Sequence, residues 1–255
     1  MTHSQPYPGT QTVRRAVALL KAFSDEQPEW GLSDLARAVG LNKTTTYRLL
    51  MALENEGMVT RGNQSEAYRL GPAAITLGGR ALRANGLRAT AHGELVALAQ
   101  ATNETVTLEV LADRQVLILD EVFGSHVLGN TQSLGTRWPA HATSTGKVLL
   151  AHAPPAELEA VLAAGLVSLT PQTLNNAEAL RTTLDRVRAE GHAVAVEELE
   201  AGFVAVAAPV RNVTRAVVAA ISVGGPSVRL PPDRLPALSE QVRAAAERIS
   251  SHLGS

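Results

Sequence analysis

Between Leu32 and Leu53 the chain reads LSDLARAVGLNKTTTYRLLMAL, and its apolar spacing leaves few folds open. Leu35, Ala36 and Val39 recur at helical spacing, and Leu49, Leu50 and Leu53 repeat it beyond Gly40. Such stripes are the buried faces of two short amphipathic helices packed across a tight turn. Ser33 and Asn42 stand at the expected N-caps, where a side-chain oxygen accepts from a first-turn amide. The second helix opens with Asn42, Lys43, Thr44, Thr45, Thr46, Tyr47 and Arg48 and meets no acid before Glu54. Basic and hydroxyl side chains in that order can hydrogen-bond phosphates and base edges from a major groove. A plain helical hairpin with a solvated face fits the same pattern.

The flanking residues extend the motif. Val13, Ala16, Val17, Leu19 and Leu20 stripe a preceding helix from Thr12 to Phe23. Gly57 stops the second helix of the pair. Met58–Arg61 and Ala67–Leu70 then predict two short strands around the polar turn Gly62–Glu66. A hairpin directly behind such a helix pair is a wing, with Arg61 and Arg69 placed to lie along a sugar-phosphate backbone; solvated arginines on a plain hairpin are the alternative. Charge is divided accordingly. Residues 1–92 hold 11 basic and 7 acidic side chains, residues 93–255 hold 12 and 17, so only the front of the chain suits a polyanion. With 45% hydrophobic residues there is material for a core, and the absence of cysteine excludes disulfides and thiolate metal sites. No apolar run approaches the ~18 residues of a membrane span, and the N-terminus lacks the order of a signal peptide. A soluble, cytoplasmic protein is expected.

Pro72 suits the first position of a helix to about Asn85, where its missing N–H costs nothing. Gly78 and Gly79 each weaken that helix by roughly 1 kcal/mol, so a bend or a close helix contact is expected there. A second helix spans about Thr90 to Thr102. The period then changes, because Val106, Leu108 and Val110 alternate with Thr105, Thr107 and Glu109, as in a half-buried strand. Val116–Leu119 reads as a buried strand, followed by a long loop. Helices are predicted at Lys147–His152, Ala156–Leu162 and Ala177–Glu190, the last started by Asn175 with Glu178 and stopped by Gly191. Strands at Ala193–Glu198, Phe203–Val210 and Ala216–Val223 precede a closing helix from Leu235 to His252. Strands joined by short turns with helices around them make an antiparallel sheet in an α+β domain.

The run AHATSTGKV invites an enzymatic reading. A phosphate loop is rejected, since His141 and Val148 stand where glycine and a hydroxyl residue are required. Ser144 has Ala142 two residues before it, which does not fit a nucleophile elbow; an acyl-transfer triad assembled in space stays open. Backbone N–H groups of Thr143, Ser144, Thr145 and Gly146 precede a helix and can hold an anion, or merely cap it. The seven histidines form no metal-binding spacing, so no metal or cofactor is expected. Glu197, Glu198 and Glu200 read as solvated.

The succession TVRRAVALLKAF, LSDLARAVGLNKTTTYRLLMALENEGMV and YRLG resembles the N-terminal domain of IclR-type transcriptional regulators. WPAHATSTGKVLLAH, EELEAGFVAVAAPV and AAISVGGP resemble later segments of the same family, so the likeness covers nearly the whole chain. It implies a loose tail over 1–10, a winged helix-turn-helix over 11–71, a linker helix over 72–92 and a GAF-like effector domain over 93–255. It implies double-stranded DNA with a pseudo-palindromic operator as partner, a homodimer or dimer of dimers, and a repressor that is not an enzyme. It also places a small carboxylate effector on the Thr143–Gly146 amides, beside Ala195, Ala205, Ser222 and Gly224. The family's usual acid, cysteine and second serine align with Ala195, Ala205 and Gly224. Ser222 is then the polar side chain that remains, and a bulky, apolar acid, aromatic ones included, is the expected effector. An enzyme using the same pocket and a DNA-binding protein without ligand are the rival readings.

Overall fold

The computed structural model describes residues 10–62, 66–125 and 134–254. Most of the expected tail, the tip of the Gly62–Glu66 turn and much of the long loop before Lys147 lie outside them. The chain divides into two compact units, Met1–Ala84 and Asn85–Ser255.

In the first unit, α1 (Thr10–Lys21), α2 (Leu32–Ala38) and α3 (Lys43–Asn55) pack around Leu19, Leu35 and Leu50, each fully buried. Gly40 turns the chain between α2 and α3 at a φ of +68°, a conformation that penalises any side chain with a Cβ. Asn42 caps α3, its side-chain oxygen accepting from the Thr45 amide at 2.8 Å. Ser33 does not cap α2. The flanking residue is Gly31, which makes no side-chain cap, and Ser33 lies inside the first turn because the helix already starts at Leu32. β1 (Val59–Arg61) and β2 (Tyr68–Leu70) form the hairpin, with Val59 and Tyr68 closing the core. Trp30 adds a bridge on the far side of Tyr68, exchanging backbone bonds of 2.9 and 2.8 Å. Pro72 begins α4 (Pro72–Arg83). Within one chain, among the described residues, nothing outside the helix backbone stands within 4 Å of where a Gly78 Cβ would be, and at Gly79 the near neighbour is the Arg83 side chain of the same helix.

The second unit is a six-stranded antiparallel sheet in the order β5-β4-β3-β8-β7-β6. Its strands are β3 (Thr105–Ala112), β4 (Gln115–Val122), β5 (Arg137–Pro139), β6 (Ala193–Val196), β7 (Phe203–Arg211) and β8 (Val217–Pro226). One face packs on α5 (Gly86–Thr102) and α9 (Leu235–Leu253), with Leu95, Leu98, Val242 and Ile249 against Val106, Leu108, Val206 and Ile221. The other packs on α6 (Ser144–His152), α7 (Pro155–Ala164) and α8 (Ala177–Glu190), through Val148, Leu150, Leu180 and Leu184. Three local readings are corrected. α5 begins at Gly86 because Asn85 caps it, accepting from the Arg88 amide. The cap of α8 is Asn176, whose side chain reaches the Glu178 and Ala179 amides, and not Asn175. β5 is too short to leave a periodic signal, and only its pairing with β4 defines it.

Candidate functional site

The exposed edge of α3 carries Lys43, Thr44, Tyr47 and Arg48, and Thr45 beside them is half-buried. The first turn of this helix contains no acid, so the unpaired amides and these side chains present donors together. Thr46 is a correction. It is fully buried on the core side of α3 and donates to the Asn42 carbonyl at 3.0 Å, so it cannot reach a groove. Arg61 departs from expectation as well. Its guanidinium lies 5.1 Å over the Tyr68 ring, 3.6 Å from the Glu54 carboxylate and 3.5 Å from the Met51 sulfur. It is engaged within its own unit, with 38% of the side chain still open to solvent. Arg69, on β2, is exposed.

In the second unit, a cavity of about 230 Å³ opens between the sheet and the start of α6. Strand register explains its floor. Thr105 pairs with Gly224, Gly224 with Ala205, and Ala205 with Ala195, which sets small residues in one row across four strands. The next row runs Glu121, Thr107, Ser222, Ala207. Thr143, Ser144 and Thr145 close the opposite wall, so seven of the eight residues expected from sequence line one cavity. Gly146 does not. A Cβ there would stand 2.0 Å from the Ala140 carbonyl oxygen, so this glycine permits close packing of the chain. Its amide donates to the Thr143 hydroxyl at 3.0 Å and is unavailable to a ligand. The Ser144 and Thr145 amides, in the first turn of α6, have no intrahelical acceptor.

Ser222 does line the cavity, but the expectation of an otherwise apolar side-chain wall is overturned. β3 contributes Thr107 and Glu109, and β4 contributes Glu121, all to the cavity wall. Glu109 is buried and accepts from Thr107 Oγ1 at 2.7 Å and Thr145 Oγ1 at 2.6 Å. Thr107 Oγ1 and Ser222 Oγ share a further bond of 2.8 Å. Burial raises the Glu109 carboxyl above its usual range, against the lowering effect of its two hydroxyl donors. Glu121 is pushed up to about 7, first by burial and then by the neighbouring Glu109. The strand alternation already set Thr105, Thr107 and Glu109 on one face; reading that face as solvated hid them. Glu198 is likewise not solvated. It is buried and paired with Lys147, whose ammonium also donates to the Val194 carbonyl at 3.2 Å. Burial depresses the Lys147 pKa, and Glu198 works against that shift. Among the described residues no cluster of side chains has the composition of a metal site.

Residues 12–62 match the family described as the IclR helix-turn-helix domain, and residues 79–251 match the bacterial transcriptional regulator IclR C-terminal domain. The glycerol operon regulatory protein of Streptomyces griseus is 37% identical over 246 residues, 96% of both chains. The HTH-type transcriptional repressor AllR of Klebsiella pneumoniae is 30% identical, over 96% of this chain and 91% of that one. Among solved structures, an IclR transcriptional regulator from Silicibacter sp. TM1040 aligns with a TM-score of 0.86 at 32% identity, covering 96% of each chain. An IclR homolog from Microbacterium hydrocarbonoxydans, complexed with 4-hydroxybenzoate, aligns with a TM-score of 0.78 at 31% identity, covering 95% of this chain and 98% of that one.

Proposed function

Because the chain belongs to the IclR family of bacterial transcriptional regulators, we propose that it is a cytoplasmic repressor whose grip on DNA is set by a small organic acid. The acid-free, donor-rich edge of α3 carries this reading. Lys43, Thr44, Tyr47 and Arg48 enter a major groove, Asn42 and Thr45 hold the start of the helix, and Arg69 meets the flanking backbone. One such unit covers too little DNA for a regulator's affinity, so two act together on a pseudo-palindromic operator. α4 supports a subunit contact: none of its residues is buried, and Ile75 and Leu77 are 78% and 52% exposed.

The effector carboxylate sits on the Ser144 and Thr145 amides at the positive end of α6. The 4-hydroxybenzoate held by a structural relative is an acid of this kind. Binding one arrangement of the subunits better than another shifts the population and with it the spacing of the two α3 helices. The ligand is bound and released without turnover. The test is a gel-shift titration of Arg48→Ala at two salt concentrations. A base-reading arginine predicts a loss of about 1–3 kcal/mol and relaxed sequence preference. A phosphate contact predicts an even loss across sequences and a shallower salt slope. Unchanged binding at both salts would remove α3 as the reading helix.

A further inference from the structure

We propose that the cavity selects an acid that also carries a hydrogen-bond donor, a hydroxyl or an amino group, and that Glu121, Thr107 and Ser222 read that donor. The proposal rests on the reading of the Ser144 and Thr145 amides as the carboxylate site, and it names what must stand at the other end of the ligand.

The sheet wall is rich in acceptors. Glu121, Thr107 and Ser222 are consecutive in one register row, so their side chains share a face. Thr107 and Thr145 both direct their hydroxyl hydrogens to Glu109. With the Thr107 hydrogen committed, Ser222 is the donor in the bond the two share. Ser222 is left with lone pairs for the cavity, as a serine hydroxyl has one hydrogen and two acceptor sites.

Charge points the same way. Among the described residues four glutamate carboxyl groups line the cavity, those of Glu109, Glu121, Glu198 and Glu200, against one guanidinium, that of Arg229. Arg229 is already held by Glu104 through two bonds of 2.8 and 2.6 Å, and Glu198 faces Lys147. No lysine, arginine or histidine of the described residues lies within ion-pair distance of Glu109, Glu121 or Glu200. The same surroundings hold the Glu121 carboxyl up at about 7, burial first and the neighbouring Glu109 second.

A purely apolar acid would place hydrocarbon over these acceptors and strip their water without replacing its hydrogen bonds, which is costly. A hydroxyl or amine over Glu121 and Ser222 replaces the lost donors. The acid selected by this wall is therefore bipolar, with its carboxylate toward α6 and its donor toward β4, β3 and β8.

Isothermal titration of the full-length protein against matched pairs tests this: propionate against 3-hydroxypropionate, and benzoate against 3-hydroxybenzoate, 4-hydroxybenzoate and 4-aminobenzoate. At least one donor-bearing acid should bind about tenfold or more tighter than its parent. Glu121→Gln should shrink that ratio to within about threefold, and Thr107→Val, which keeps the side-chain shape, should shrink it too. Glu121 is half-exposed, so its variant is the one expected to fold without difficulty. Parent and substituted acids of equal affinity throughout would overturn donor selection while leaving the α6 carboxylate site standing. Failure of every acid to bind at millimolar concentration would overturn the carboxylate reading, and this proposal with it.

Discussion

Glu121 and Lys147 show how single ionisable side chains answer to packing. In the unfolded chain the Glu121 carboxyl titrates near 4.3, and in the fold only at about 7. Between those values the folded state holds the extra proton, so stability from this group falls as pH rises from about 4.3 toward 7 and is level above. The half-exposed position makes the effect smaller than the full shift implies. Urea unfolding at pH 5 and pH 7.5 should show Glu121→Gln gaining on the natural protein at the higher pH. Parallel behaviour at both pH values would mean that the carboxyl is not desolvated. Lys147 is 1% exposed and pairs with Glu198. Lys147→Ala leaves a buried carboxylate without its cation and should cost about 3–5 kcal/mol. The double replacement Lys147→Met with Glu198→Gln should cost less, because no charge is left stranded. Both readings escaped the sequence, since a Glu or Lys in isolation carries no mark of what will be packed over it.

At the scale of elements, the caps separate what spacing decides from what it does not. Asn42→Ala removes the bond to the Thr45 amide at the start of α3 and should destabilise the N-terminal unit by about 0.5–2 kcal/mol. Ser33→Ala should change stability far less, because Ser33 makes no cap. Thermal melts of the two variants compare them directly, and equal losses would contradict the cap assignment. The apolar stripes of α3, α8 and α9 were legible because a helix repeats its buried face every turn. Thr46 was not separable from Thr44 and Thr45 by residue type, since three threonines in succession point in three directions around the helix and only one meets the core. The β3 residues were placed on alternating faces correctly, but a strand buried on both sides cannot be told from a half-buried one when its second face lines a cavity.

For the whole molecule, the proposed mechanism requires more than one copy of the chain. Light scattering at micromolar concentration should give at least twice the 26.8 kDa chain mass, with and without operator DNA. A monomer under both conditions would sink the two-site reading of the operator. The sequence by itself determined the helix pair, the hairpin behind it, the order of the α-helices and longer strands that follow and the family, because each is written in local spacing or in motifs kept in order. It also pointed to Ala195, Ala205, Ser222 and Gly224 as neighbours, by resemblance. Only the tertiary structure decided that Glu109 and Glu121 share their cavity, that Glu198 is buried against Lys147, and that Arg61 folds back on Tyr68. The reason is physical. Thr107 and Ser222 are 115 positions apart, and their 2.8 Å bond exists through the pairing register of β3 with β8. Register is a cooperative choice of the whole sheet, made by which faces are buried, and no local stretch of residues contains it.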